Sequence, residues 1–187
     1  VSFTNFVNSS IFKFELICYN LDGSIKWQNY EYRTGIDQRF HGSPHFADFN
    51  MDGFTEIYIN NIIFNGQTGK KLLDGKLNGT GVGEKFDINY SLCVAAQLDD
   101  NPNDLELAAG YTVYKIEINN LNGEVGNKIT PYNVDVNGMF LEGFTSVGDL
   151  NNDGKLEIIV SPRTTIPCIN LEKKAIFYVY NYKYTQT

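Results

Sequence analysis

One acid-rich phrase occurs twice in this chain, each time directly before a run of β-branched residues. It reads ADFNMDGFTEIYI over residues 47–59 and GDLNNDGKLEIIV over residues 148–160. A related phrase, VAAQLDDNPNDLELAAG, occupies residues 94–110, about midway between them. A repeat of about 50 residues is typical of β-propellers and solenoids, in which each copy is one supersecondary unit. The chain is therefore expected to contain several copies of one structural unit.

Short strand-like runs fill the sequence between the acidic phrases. They are rich in β-branched and aromatic residues and are interrupted by Asp-Gly or Asn-Gly at residues 22–23, 65–66 and 122–123. These dipeptides are the strongest short-range indication of a β-hairpin. No segment keeps a helical period over three turns. The pattern predicts an all-β fold with about four short strands per unit, which is typical of a β-propeller blade.

The phase of the repeat predicts one β-propeller domain over residues 1–187. With about 50 residues per blade, the chain holds roughly three and a half blades. Propeller rings commonly have about four to eight blades, so we expect the chain to be part of a larger propeller. A complete four-bladed ring closed by the two ends of the chain is the alternative. The predicted repeat units are approximately 1–42, 43–92, 93–143 and 144–187.

The two complete acidic loops place oxygen-bearing side chains at alternate positions. Calcium prefers six to eight oxygen ligands, and a tight loop with every second side chain pointing inward supplies them. A glycine turns each loop so that the next backbone carbonyl faces the centre. Without an ion, carboxylates at about 4 Å repel each other by about 1 kcal/mol per pair in water. The predicted ligands of a structural Ca²⁺ are Asp48, Asn50, Asp52, Phe54 (carbonyl) and Glu56 in one loop, and Asp149, Asn151, Asp153, Lys155 (carbonyl) and Glu157 in the other.

The middle phrase departs from this pattern. It has Gln97 in place of the first aspartate and Pro102 in place of the glycine, and it is one residue longer. We expect it to bind calcium weakly or not at all, through a poor ligand set of Asp99, Asn101 and Glu106.

The D-x-N-x-D-G start also opens an EF-hand, but the rest of that motif is missing. An EF-hand needs a bidentate glutamate at the twelfth loop position and a helix on each side. The twelfth positions here are Ile59 and Val160, and both flanks are strand-like. The EF-hand interpretation therefore fails twice.

The stretches DFNMDGFTE and DLNNDGKLE, each leading into an isoleucine-rich strand, resemble the calcium loops of the FG-GAP/VCBS repeat family. These repeats build integrin-α-type β-propellers and many secreted or surface-displayed bacterial proteins. The resemblance covers nearly the whole chain, although the Phe-Gly and Gly-Ala-Pro marks that name the family are not clearly present. It implies that each loop joins the first two strands of a blade and binds calcium through the residues named above.

Composition limits the classes of partner. The chain is 42% hydrophobic and 14% aromatic, which is ample for a packed core. The net charge is −7, and the lysines and arginines do not cluster into a basic segment. Nucleic acid is therefore not an expected partner. No apolar run is long enough to span a bilayer, and the first ten residues lack the pattern of a signal peptide. Any targeting signal is expected to lie outside this chain.

Several other residue types have structural explanations. The three cysteines, Cys18, Cys93 and Cys168, are far apart, odd in number and lack metal-ligand spacing, so a disulfide framework is not expected. Cys18 and Cys93 lie in apolar strand-like runs, and we interpret both as packing residues. His41 and His45 have the i, i+4 spacing of a zinc-binding helix, but the intervening Gly-Ser-Pro breaks any helix and favours a loop.

Aromatic residues outside the acidic loops are also assigned to packing. The lone tryptophan, Trp27, is expected in the core, although it could instead stack on a sugar. Four tyrosines near the end of the chain recur with period two and should share one strand face. That stripe is expected to pack between blades, with a partner surface as the alternative. Its members are Tyr178, Tyr180, Tyr182 and Tyr184.

Taken together, these features predict a calcium-stabilised extracellular β-propeller, secreted or at the cell surface, used for adhesion or ligand binding. The expected partner is an extracellular protein or glycan, or another part of a larger assembly. No nucleophile–base constellation or phosphate cradle is visible, so an enzyme is not expected. Two alternatives stay open: a polysaccharide lyase-type propeller enzyme, and a passive structural or secreted-cargo domain.

Overall fold

The computed structural model describes residues 11–34, 43–76, 92–133, 143–162 and 178–181. These residues form thirteen β-strands and no helix, which confirms the predicted all-β class. In chain order the strands are β1 (Ile11–Tyr19), β2 (Ile25–Thr34), β3 (His45–Ala47), β4 (Glu56–Ile59), β5 (Ile62–Asn65), β6 (Lys71–Asp74), β7 (Val94–Ala96), β8 (Glu106–Ala109), β9 (Thr112–Glu117), β10 (Lys128–Asn133), β11 (Gly143–Gly148), β12 (Glu157–Pro162) and β13 (Tyr178–Asn181).

The strands pair into four antiparallel sheets that follow one another along the chain. Sheet I contains β1 and β2, sheet II contains β3 to β6, sheet III contains β7 to β10, and sheet IV contains β11 to β13. Every strand pairs with its neighbour in sequence, so each sheet is a simple meander. Within the described residues the sheets do not close into a barrel or ring, and the number of blades stays a prediction.

The predicted hairpins lie where the glycine dipeptides occur. The dipeptide at 22–23 joins β1 to β2, that at 65–66 lies between β5 and β6, and that at 122–123 lies between β9 and β10. Gly23 has a φ of 85°, a value that glycine adopts without the steric cost of a Cβ atom. The hairpin prediction is therefore confirmed at all three positions.

The sheets stack face to face. Alternate residues of a central strand point to opposite faces of its sheet, so each central strand contacts both the preceding sheet and the following sheet. In β4, Ile57 and Ile59 pack with Leu16 and Trp27 of sheet I. The residue between them, Tyr58, belongs to the core that sheet II shares with sheet III. All four residues of β4 are buried, as expected for a strand covered on both faces. The core position of the tryptophan is thereby confirmed.

The same alternation continues into the next pair of sheets. In β8, Leu107 lies in the core between sheets II and III, whereas Ala108 packs with Ile158 and Val160 of sheet IV. Sheets III and IV also meet at their edges, where the backbone N–H of Thr145 donates to the carbonyl of Leu92 at 3.2 Å. The stacking order therefore follows the chain order, from sheet I to sheet IV.

The other singled-out residues are placed in part. Cys93 is buried at 2% exposure in the core between sheets II and III, as predicted. His45 corrects the loop prediction: it begins strand β3, where the backbone pairs with β4, and its ring stacks on Tyr58 at a centroid distance of 5.3 Å. Cys18 is partly buried against the core between sheets I and II. Tyr178 and Tyr180 lie in β13; residues 41, 168, 182 and 184 are outside the described ranges.

Candidate metal sites in the acidic loops

The three acidic phrases occupy the same place in three successive sheets. The first loop (48–56) leads from β3 to β4, the middle loop (97–106) from β7 to β8, and the last loop (149–157) from β11 to β12. Each therefore connects the first strand of its sheet to the second. The glutamate at the end of each loop is the first residue of the second strand.

Neighbouring loops contact each other. The backbone N–H of Leu105, in the middle loop, donates to the carbonyl of Phe49 in the first loop at 3.0 Å. On the other side, Lys155 Nζ of the last loop lies 3.5 Å from Asp100 Oδ1 of the middle loop. Both side chains of this ion pair are exposed, so the pair contributes little stability. The three loops thus lie side by side along one edge of the stacked sheets.

The first loop is shaped by its own acids. The carboxylate of Asp48 accepts hydrogen bonds from the backbone N–H groups of Asp52 at 3.0 Å and Gly53 at 2.8 Å. Asp52 in turn accepts from the N–H of Phe54 at 2.8 Å. Gly53 has a φ of 88°, and Met51 tolerates a φ of 52°. Asp48 and Asp52 therefore fix the turn at the glycine, with the Phe54 position directly after it.

Glu56 lies at the end of the first loop, where β4 begins. Its side chain is buried, and its Oε2 atom accepts a hydrogen bond from the N–H of Phe49 at 3.0 Å. Burial raises the pKa of Glu56 to about 7; the Phe49 hydrogen bond opposes this rise, and the charges of Asp52 and Asp48 add to it. A nearby positive charge favours the ionised form of a carboxylate, so a cation bound in this loop would stabilise the Glu56 carboxylate.

The asparagine of the first loop has an unsatisfied oxygen. Asn50 Oδ1 is buried and has no hydrogen-bond partner among the described atoms, whereas its Nδ2 donates to Asp52 Oδ2 at 2.9 Å. An amide nitrogen carries two hydrogens and cannot bind a cation, so calcium binding requires the amide oxygen. Turning the amide by half a rotation would bring that oxygen to the carboxylates.

The last loop repeats this arrangement. Asp149 accepts from the N–H groups of Asp153 at 3.1 Å and Gly154 at 2.9 Å, and Asp153 accepts from the N–H of Lys155 at 2.8 Å. Glu157 is buried and accepts from the N–H of Leu150 at 2.7 Å. The two loops share these bonds although their intervening residues differ. The shape therefore follows from the D-x-N-x-D-G positions.

Asn151 differs slightly from its counterpart in the first loop. Its Nδ2 donates to Asp153 Oδ2 and to Glu157 Oε1, both at 3.1 Å. Its Oδ1 accepts from the N–H of Asp153 at 2.9 Å. The amide therefore bridges two of the three predicted carboxylates, Asp153 and Glu157. Among the described residues, the three carboxylates of the first loop and those of the last loop do not all lie within 4.8 Å of one another, as those of the middle loop do.

The middle loop reaches a similar turn by other means. Gln97, which replaces the first aspartate, donates from Nε2 to the carbonyls of Asp99 at 2.9 Å and Asn101 at 2.6 Å. Glu106 keeps the role of the exit glutamate: it is buried and accepts from the N–H of Leu98 at 2.9 Å. Burial raises the pKa of Glu106 to about 7. An amide donor thus holds the turn that a carboxylate acceptor holds in the other loops.

The middle loop also brings together three carboxylates that the sequence did not group. Oxygen atoms of Asp99, Asp104 and Glu106 all lie within 4.8 Å of one another. Asn101 is instead engaged with Asn103, whose N–H donates to Asn101 Oδ1 at 3.3 Å. Asp104 does not stand out in the sequence when the loops are aligned from their first acidic residue. Aligned from the exit glutamate, Asp104 stands two residues before it, at the position of Phe54 in the first loop.

The types of donor atom in the three loops suit a hard cation. The predicted ligands are carboxylate, amide and carbonyl oxygens, and buried oxygens of Asn50, Asp104 and Glu106 lack hydrogen-bond partners among the described atoms. Calcium in the first and last loops would be held by the two ligand sets predicted from the sequence. There it would neutralise carboxylates that otherwise repel each other.

Comparisons with known protein families, with curated proteins and with solved structures find no match to this chain. None of the described residues forms a helix with the length and hydropathy needed to cross a membrane.

Proposed function

We propose that the chain is a calcium-stabilised β-propeller of the FG-GAP/VCBS kind, in which each sheet is a blade and each complete acidic loop binds one Ca²⁺. One observation carries the proposal: the same loop recurs between the first and second strands of successive stacked sheets. In each copy a buried glutamate accepts a backbone N–H from the start of its loop. The three glutamates are Glu56, Glu106 and Glu157.

Calcium in these loops has a structural role. Each complete loop joins two strands and presents three carboxylates, so one dication reduces the local charge from −3 to −1. An ion that binds the folded chain but not the unfolded chain stabilises it by about 2.7 kcal/mol at a hundredfold excess over its dissociation constant. Because adjacent loops contact each other, the ion also stiffens the edge where neighbouring sheets meet.

We further propose that the protein works outside the cell, in adhesion or in binding a protein or glycan ligand. Calcium sites of extracellular modules commonly have dissociation constants of about 10⁻⁴ to 10⁻³ M, a range that external calcium fills. The acidic surface, with a net charge of −7, suits cations better than nucleic acid. Other parts of a larger secreted assembly are the second class of partner.

Calorimetric titration of the chelator-treated chain with calcium tests the metal sites. We expect binding at the first and last loops, and loss of one site in each of Asp48→Asn and Asp149→Asn. Asp22→Asn, in the hairpin between β1 and β2, is the matched control and should bind as the wild type does. Absence of calcium binding at millimolar concentration would refute the proposal.

A second experiment tests the extracellular role. The chain is screened on glycan arrays and on cell surfaces, with calcium and with chelator. We expect calcium-dependent binding to at least one ligand. Release of unsaturated uronides from pectic polymers would instead indicate a lyase, and absence of all binding by a folded, calcium-loaded protein would indicate a passive structural domain.

A further inference from the structure

We infer that the middle loop contains a divalent-cation site built from Asp99, Asp104 and Glu106, a different ligand set from that of the other loops. The inference rests on the proposed function for the choice of calcium as the ion. It departs from the expectation that this loop is a poor site, which was based on the missing aspartate and glycine. The geometry of three carboxylates and two unpartnered oxygens supports it.

The first argument is distance. Calcium–oxygen bonds are about 2.3–2.6 Å long, so two ligands on opposite sides of one ion are about 4.6–5.2 Å apart, and adjacent ligands are closer. Oxygens of the three carboxylates all lie within 4.8 Å of one another. They can therefore contact one common ion without movement of the strands. Within the described parts of the chain, this is the group of three acidic side chains that meets the distance requirement.

The second argument is the state of the buried oxygens. Glu106 is 1% exposed, and its Oε2 accepts from the N–H groups of Leu98 and Asp99. Its other oxygen, Oε1, is buried and has no hydrogen-bond partner among the described atoms, and the same holds for Asp104 Oδ1. A buried oxygen without a donor is unfavourable. Two of the three carboxylates in the group therefore each carry a buried oxygen that an ion could satisfy.

The third argument is charge. Lys115 Nζ, from β9, lies 3.7 Å from Asp104 Oδ2, and both side chains are mostly buried. When all three carboxylates are ionised, together with one ammonium group they leave a local charge of −2. A single dication neutralises that charge, whereas the lysine by itself does not. Lys115 is therefore best described as a neighbour that moderates the affinity of the site.

The ligand sets of the loops differ in the sequence position of one acidic residue. The first loop takes its three carboxylates from Asp48, Asp52 and Glu56. The middle loop has an amide at the entrance, Gln97, and compensates with Asp104 two residues before the exit glutamate. Each loop thus presents three carboxylates. The middle loop is also one residue longer between its entrance and its exit glutamate.

The test is the number of calcium ions bound by the full chain, measured by calorimetry and by native mass spectrometry. We expect three ions for the wild type and two for Asp104→Asn, which keeps the size of the side chain. Asp100→Asn is the matched control, because Asp100 is in the same loop, is exposed and lies outside the carboxylate group. It should bind three ions. Circular dichroism establishes that each variant keeps its β-structure.

Lys115→Met extends the test. Removing the ammonium group should leave three ions bound and lower the dissociation constant of the middle-loop site. A third site that appears only in Lys115→Met would show that the lysine occupies the place of the metal, and would overturn the inference.

The outcomes separate this inference from the proposed function. Two ions in the wild type, unchanged in Asp104→Asn but reduced by Asp48→Asn and by Asp149→Asn, would refute the middle site and leave the proposed function intact. Loss of an ion in Asp104→Asn alone, with no effect of the other two substitutions, would support the middle site and refute calcium binding by the complete loops.

Discussion

Replacing Asp48 by alanine should destabilise the protein in two separable ways. The carboxylate accepts two backbone hydrogen bonds that shape the first loop, from Asp52 and Gly53. It is also a predicted calcium ligand. The first contribution is present whether or not calcium is bound, and the second requires the ion. A melting experiment in calcium and in chelator therefore measures both.

The structure allows the size of each contribution to be estimated. A hydrogen bond contributes about 0.5–1.5 kcal/mol net, and lower values apply here because the freed N–H groups are at the surface, so two bonds amount to about 1–2 kcal/mol. Loss of calcium binding at a hundredfold excess costs about 2.7 kcal/mol more. For a domain of this size, 1 kcal/mol corresponds to about 2–4 °C in melting temperature. Asp48→Ala should lower Tm by roughly 2–8 °C in chelator and by roughly 7–19 °C in calcium.

Asp48→Asn separates the two contributions further. Its single amide oxygen keeps one of the two backbone hydrogen bonds, and the side chain loses the negative charge that attracts the ion. Differential scanning calorimetry of both variants and the wild type, each in saturating calcium and in chelator, gives the comparison. We expect Asp48→Asn to melt between Asp48→Ala and the wild type in chelator, and well below the wild type in calcium. Equal losses in both conditions would refute a metal role for this carboxylate.

Three further outcomes follow from the packing. Gly69→Ala should lower the free energy of unfolding in denaturant by about 2–5 kcal/mol, because its φ is 71° and a Cβ atom would overlap the buried indole ring of Trp27. The control Gly23→Ala, with open space around the residue, should lower it by about 1–2 kcal/mol. Equal losses would contradict the overlap. Burial raises the pKa of Cys93 to about 12, so this thiol should resist alkylation at pH 8 until the protein unfolds; rapid labelling of the native protein would count against the core assignment. Tyr58→Phe removes the acceptor of the Ala95 N–H and should cost about 1–2 kcal/mol by chemical denaturation, while an unchanged midpoint would show that this bond does not hold sheets II and III together.

The amino-acid sequence was sufficient for the local features. Hairpins at residues 22–23, 65–66 and 122–123 follow from the dihedral freedom of glycine, a property that acts within a few residues of chain. The hydrogen bonds of Asp48 and Asp149 are equally local, since each carboxylate reaches N–H groups four and five residues ahead. The core position of Trp27 was also predictable, because a large apolar ring is rarely left in water.

Only the tertiary structure decided which distant residues share a surface. Lys115 approaches Asp104 because β9 pairs beside β8, and the middle loop meets Phe49 because sheets II and III stack. His45 likewise joins a strand through backbone pairing with β4, which its own glycine- and proline-rich neighbourhood did not indicate. Pattern and propensity act over a few residues, whereas these contacts depend on strand register and on the packing of sheets far apart in sequence. The grouping of Asp99, Asp104 and Glu106 belongs to this second kind, because an extra residue in the loop changes which acids face one another.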